Sequence, residues 1–214
     1  MTPTAECRSQ LVRAAFRLEW LITGWMIVEA VVALASGLTA RSISLIAFGL
    51  DSLIELASAC ALIWRLNVEL GHGRSVAETA ERTASRIGGA LLFVLAAYIV
   101  VAAGWRLCTR RGAAFSWPGL LVSLATIPIM WLLSRRKLVI AEALRSRALR
   151  ADAVESITCG WLSFVVLLGL LAQLALGAWW VDSVTSLVIV GLLIKEGREA
   201  WTENDQTGGR HEEL

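Results

Sequence analysis

Acidic side chains inside long apolar runs are the residues of this sequence with the most chemistry to offer. Asp51 and Glu55 lie in one such run, Asp152 and Glu155 in another, and Glu29 and Asp182 stand singly in two more. Asp51 and Glu55 are related as i and i+4. On a helix that puts them about 40° apart on one face and roughly 6 Å apart along the axis. Glu155 and Cys159 repeat the spacing, and Asp152 lies on the same stripe three residues earlier. A carboxylate at a bilayer centre costs about 2.5–3.5 kcal/mol on insertion scales, and two on one turn repel each other. Such groups persist when protonated, paired or coordinated to a cation. No Lys or Arg is expected at comparable depth, so a cation from solution, or protons, must be the partner. Carboxylates with a thiolate suit Zn²⁺ or Cd²⁺, and an all-oxygen set also accepts Mn²⁺ or Co²⁺. The expected metal-binding residues are Asp51, Glu55 and Glu155, completed by either Cys159 (three carboxylates and a thiol) or Asp152 (four carboxylates). Asp182 is expected to stand behind them or to relay protons. Glu29 is left open between a hydrogen-bonded packing group and a functional one, and His72 is expected to be a solvated loop residue.

The elements that must carry these residues are membrane helices. The chain has 214 residues, 57% of them hydrophobic and only 18% charged. Ordinary soluble domains hold about 25% charged residues. A net charge of +2 gives no footprint for nucleic acid. Six apolar runs of spanning length can be marked, at 17–38, 43–65, 87–107, 115–135, 153–176 and 178–199. They are continuous rather than alternating, which argues against strands. Cys7, Cys60, Cys108 and Cys159 have no C-x-x-C spacing, and the N-terminal segment has no cleavable signal pattern.

With six spans, Arg41, Arg106, Arg110 and Arg111 fall on one side and the other 16 of the 20 basic residues on the opposite side. The positive-inside rule then puts both termini in the cytoplasm. The expected fold is an all-α membrane protein with six transmembrane helices. It comprises a cytoplasmic segment 1–16, a transport domain 17–201 and a polar tail 202–214. Trp20, Trp105, Trp117, Trp179, Trp180 and Trp201 sit where an aromatic belt would. Trp25, Trp131 and Trp161 are expected to be deeper packing residues. Pro128 is expected to kink the fourth span.

The segment F-G-L-D-S-L-I-E-L-A-S (48–58) resembles the second-span motif of the cation diffusion facilitators, which begins D-S-x-x-D. The segment L-R-A-D-A-V-E-S-I-T-C (149–159) resembles their fifth-span motif, A-D-x-x-H-S-x-x-D. W-V-D-S (180–183) is similar to the start of their sixth helix, and G-H-G-R (71–74) is weakly similar to an element before the third. The resemblance implies a mid-membrane transport site for Zn²⁺ and related ions. Asp51 and Glu55 match the family's two second-span aspartates, Asp152 its other fifth-span aspartate, Glu155 its histidine and Cys159 its final aspartate. Glu155 removes a nitrogen ligand that favours Zn²⁺, whereas Cys159 favours Zn²⁺ and Cd²⁺. The short tail resembles a branch of the family without the usual cytoplasmic metal-binding domain.

The expected function is a homodimeric, multi-pass membrane transporter, in the plasma membrane if the source is prokaryotic. It would export divalent cations such as Zn²⁺, Cd²⁺, Co²⁺ or Mn²⁺ from the cytoplasm in exchange for protons. Metal is expected as cargo, with no permanently bound cofactor. Asp152 and acids such as Glu142 would guide the ion inward. The alternative is a membrane scaffold or partner subunit that keeps the motifs as packing remnants. No H-E-x-x-H, G-x-S-x-G or phosphate-cradling loop marks an enzyme.

Overall fold

In a computed structural model, the backbone is described for residues 5–72, 75–144 and 147–208, and side chains mainly for 10–60, 87–144 and 149–199. These residues form six α-helices: α1 (Ala5–Ala40), α2 (Ile43–His72), α3 (Ser75–Thr109), α4 (Trp117–Leu144), α5 (Arg147–Leu176) and α6 (Val181–Gly208). Their 28 to 36 residues make them about 42–54 Å long at ~1.5 Å per residue. That exceeds the ~30 Å hydrocarbon core of a bilayer. The helices therefore outrun the apolar segments, which end where hydropathy ends and not where the helix ends. Much of 66–86 and 136–150, expected as polar loop, is helical. The side chain of His72 lies outside the described residues, as does the backbone of 209–214.

Helices α1 to α5 are long and apolar enough to cross a membrane. Helix α6 holds its apolar run between Asp182 and the charged sequence Lys195-Glu196, which keeps it below that criterion. Large apolar residues such as Leu21, Val31, Val101 and Val139 face outward, while Glu29, Asp51, Ser52, Ser123 and Ser163 are buried. This arrangement suits a chain whose solvent is lipid. Trp131 and Trp161 belong to that outer face, at 56% and 61% exposure, and are not core residues. The Arg135 guanidinium stacks 3.8 Å over the Trp131 ring, and Trp161 meets Phe164 edge-on.

Turns and caps follow local chemistry. Arg41 adopts φ 52° between α1 and α2, and Gly177 adopts φ 58° after α5. Ser42 Oγ accepts from Leu45 N at the start of α2, and Ser116 Oγ accepts from Gly119 N at the start of α4; both are N-caps. Helix α4 continues through Pro128. Helix α2 sits centrally, packed on α1, α3, α5 and α6. Small residues allow that closeness: a Cβ at Gly37 would stand 2.8 Å from the backbone N of Ile46, and one at Gly49 would stand 3.0 Å from that of Leu34. Membrane helices associate through such contacts because lipid removes the hydrophobic drive between them.

Candidate metal centre

Three buried carboxylates converge where α2 meets α6. Asp51, Glu55 and Glu196 each present an oxygen, and these atoms lie within 4.8 Å of one another. The residues are 0%, 4% and 6% exposed. Both oxygens of Asp51, both of Glu196 and Oε1 of Glu55 are buried without a hydrogen-bond partner among the described residues. An unpaired charge cannot rest so deeply at low cost. The separation also fits a shared ion, since two oxygens bound at about 2.3–2.6 Å can stand at most about twice that distance apart.

Sequence reasoning missed Glu196. It follows Lys195 in a charged string that looks like a solvated helix end. The signal was the inward stripe Asp182, Ser186, Ile189, Leu193, Glu196, all buried and spaced by three or four residues as one helix face requires. Lys195 and Glu199, on the other face, form an exposed ion pair at 3.8 Å.

The expected ligands of α5 are distributed differently. Glu155 is partly buried and within electrostatic reach of Asp51, Asp152 and Lys137. Cys159 is buried, lies near Glu55 and Asp51, and donates its thiol to Glu29 Oε1 at 3.5 Å. Glu29 accepts three further bonds, from Thr126 Oγ1 at 2.6 Å, Ser52 Oγ at 2.7 Å and Trp25 Nε1 at 3.1 Å. The donors come from α1, α2, α4 and α5, so one carboxylate ties four helices together beside the cluster. Of the two parts left open for Glu29, the packing part describes its contacts.

Asp152 is placed away from the three-carboxylate cluster. It forms a buried ion pair with Lys137, whose Nζ also stands 3.0 Å from Glu19 Oε2. Lys137 is 1% exposed and Glu19 0%. The expectation that no basic residue pairs with the acids is thus corrected. Lys137 looked like a loop residue after Arg135-Arg136, but the extra turns of α4 carry it inward. Glu142 is exposed.

Asp182 stands at the N-terminal end of α2, about 12 Å along the axis from Asp51 at ~1.5 Å per residue. Its carboxylate accepts from Ile43 N at 2.8 Å, Ser44 N at 3.3 Å, and the hydroxyls of Ser42 and Ser44 at 2.6 Å each. Arg106 pairs with it at 3.4 Å. It caps α2 from outside that helix and satisfies the free N–H groups of the first turn. Every donor around it belongs to the cap or to Arg106, and none leads to the cluster.

The cluster can bind a cation through oxygen. Residues 20–204 match the family profile described as the cation efflux transmembrane domain. A transporter of Synechocystis, itself uncharacterized, is 28% identical over 159 residues. That alignment covers 68% of this chain and 48% of the relative, so the chain spans about half the length of the curated relative it matches.

Proposed function

The chain belongs to the cation efflux family of multi-pass membrane transporters, and from that premise we propose that it exports divalent metal cations from the cytoplasm in exchange for protons. The observation that carries this reading is the convergence of Asp51, Glu55 and Glu196, buried and with five oxygens unpartnered. A scaffold would have no use for three mutually repelling acids in its core. The cation binds these three groups, with Glu155 and Cys159 of α5 alongside. The donor set is dominated by oxygen, which admits Mn²⁺ and Co²⁺ as well as Zn²⁺ and Cd²⁺.

Protons compete for the same oxygens. Metal binding releases them, and protonation from the far side expels the metal. Helices α2 and α6 supply the cluster, while α5 packs on both. A rocking of α5 and its partner α4 against α2 and α6 would alternate access to the ion. The basic-residue asymmetry supports cytoplasmic termini, which puts Glu19, Lys137 and Asp152 at the cytoplasmic mouth and the Asp182 cap at the far side. The family resemblance supports a homodimer.

Flux into proteoliposomes tests the proposal. Wild-type protein accumulates Zn²⁺ or Mn²⁺ inside vesicles as protons run down their gradient outward, and Asp51→Ala does not. Undiminished transport by Asp51→Ala would overturn the site.

A further inference from the structure

The mouth of α1, α4 and α5 holds a second set of buried charges that the central cluster does not use. Lys137 Nζ is bound by Asp152 and stands 3.0 Å from Glu19 Oε2, with Ser156 Oγ at 3.5 Å. Both Glu19 oxygens are buried without a hydrogen-bond partner among the described residues, Oε2 meeting Lys137 as an ion pair and Oε1 meeting nothing. Two acids on two helices thus grip one cation, and that cation is the protein's own side chain. Glu155 lies one turn further along α5, in electrostatic reach of Lys137 and Asp152 on one side and Asp51 on the other. Acids therefore follow one another from the mouth to the central cluster.

We propose that Glu19 and Asp152 form a second binding position for a divalent metal cation, for which the tethered ammonium of Lys137 is the built-in competitor. Two facts favour this over a purely structural ion pair. The acids outnumber the ammonium, so a dication matches their charge better than Lys137 does. The spare Glu19 oxygen is an additional ligand that a lysine at this geometry leaves unused. Removing an ammonium from the buried Glu19 and the partly buried Asp152 without replacement is strongly unfavourable, so whatever displaces Lys137 must itself be a cation. The incoming ion would release Lys137, rest on Glu19 and Asp152, and pass by Glu155 to Asp51. The inference depends on the transport reading only for the choice of metal.

Titration calorimetry of the purified full chain with MnCl₂ tests it in Lys137→Met, whose side chain keeps most of the length without the charge. The expected result is a second metal-binding event several-fold tighter than in wild type, where Lys137 competes for it, lost again in the Glu19→Gln/Lys137→Met double variant. A folded Lys137→Met that binds the second ion no more tightly than wild type overturns the proposal. If that variant folds only when Mn²⁺ is supplied, the proposal is supported, because metal stabilises the state that binds it. A measurement on the unmodified side chain decides the matter if the variant cannot be recovered at all. Saturating Mn²⁺ should raise labelling of Lys137 by a water-soluble amine reagent several-fold, read by mass spectrometry, in wild type and equally in Asp51→Asn. Labelling that metal leaves unchanged overturns the proposal. Loss of the central binding event in Asp51→Asn with Lys137 release retained separates this inference from the reading of the central cluster.

Discussion

Replacing Glu196 by Gln isolates what α6 adds to the cluster, because the amide keeps the shape and one oxygen while removing a unit of charge. The cost can be worked from the spacing. At an effective dielectric constant of about 20, a unit charge and a dication held at ~4 Å attract by roughly 8 kcal/mol. The same substitution relieves the repulsion of Glu196 with Asp51 and Glu55. With their oxygens within 4.8 Å, that relief amounts to about 7 kcal/mol for the two pairs on the same scale. The difference, about 1 kcal/mol, corresponds to a roughly fivefold weaker Kd. Calorimetric titration with Mn²⁺ and Zn²⁺ reads it directly, and Glu199→Gln on the exposed face of α6 is the control that should change nothing. The reasoning is refuted if Glu196→Gln binds within twofold of wild type while Asp51→Asn does not bind, since α6 would then lie beside the site without contributing to it.

Other consequences are equally direct. Binding should weaken as pH falls, because protons and metal seek the same carboxylate oxygens and metal must displace the protons; titrations in buffers of different ionisation enthalpy should show protons released on binding, and a released count of zero would contradict proton exchange. Asp182→Asn removes the charge that Arg106 and the first turn of α2 share, so stability should drop by about 1–2 kcal/mol in chemical denaturation while the metal Kd stays put. A parallel loss of metal affinity would return Asp182 to the transport site. Glu29→Gln forces an amide NH₂ against donors that need an acceptor, leaving at least one of Trp25, Ser52, Thr126 and Cys159 unpaired. About 1–3 kcal/mol of stability should go with it, seen as a lower Tm with or without metal.

The architecture was legible in the sequence because a bilayer imposes a length on apolar runs and a side on basic residues. Four of the six expected runs lie within helices long and apolar enough to span, 115–135 starts two residues before the fourth helix, also a spanning one, and 178–199 overlaps α6. Asp51 and Glu55 were legible for the same kind of reason: two acids one turn apart in an apolar helix have few physical excuses. What hydropathy could not deliver was the termination of the helices. Glu196 and Lys137 both sit in strings rich in charge; Lys137 was grouped with the basic residues flanking the spans, and Glu196, inside the run 178–199, was not singled out. The helices continue, their faces rotate by about 100° per residue, and the next residue on the buried stripe is charged whether or not its neighbours are. A pass for 3.6-residue stripes carried through the charged flanks would have found both.

The same physics separates the acids into three kinds by their donors, a division that sequence alone does not make. Asp182 has five polar partners and Glu29 has four, all fixed to helix backbones or short side chains, and these two acids hold the bundle together. Asp152 and Glu19 share a single flexible ammonium, which a competing cation can push aside. Asp51 and Glu196 have no donor at all among the described residues. Along the route from the mouth of α1, α4 and α5 inward, the partners of the acids thus change from a mobile cation to none. A dication moving that way gains ligands with progressively less competition from the protein itself, and past the cluster it meets a cap whose carboxylate is already fully engaged. The gradient of unmet demand for positive charge points to the cluster of α2 and α6 as the place where the ion should rest before protons replace it.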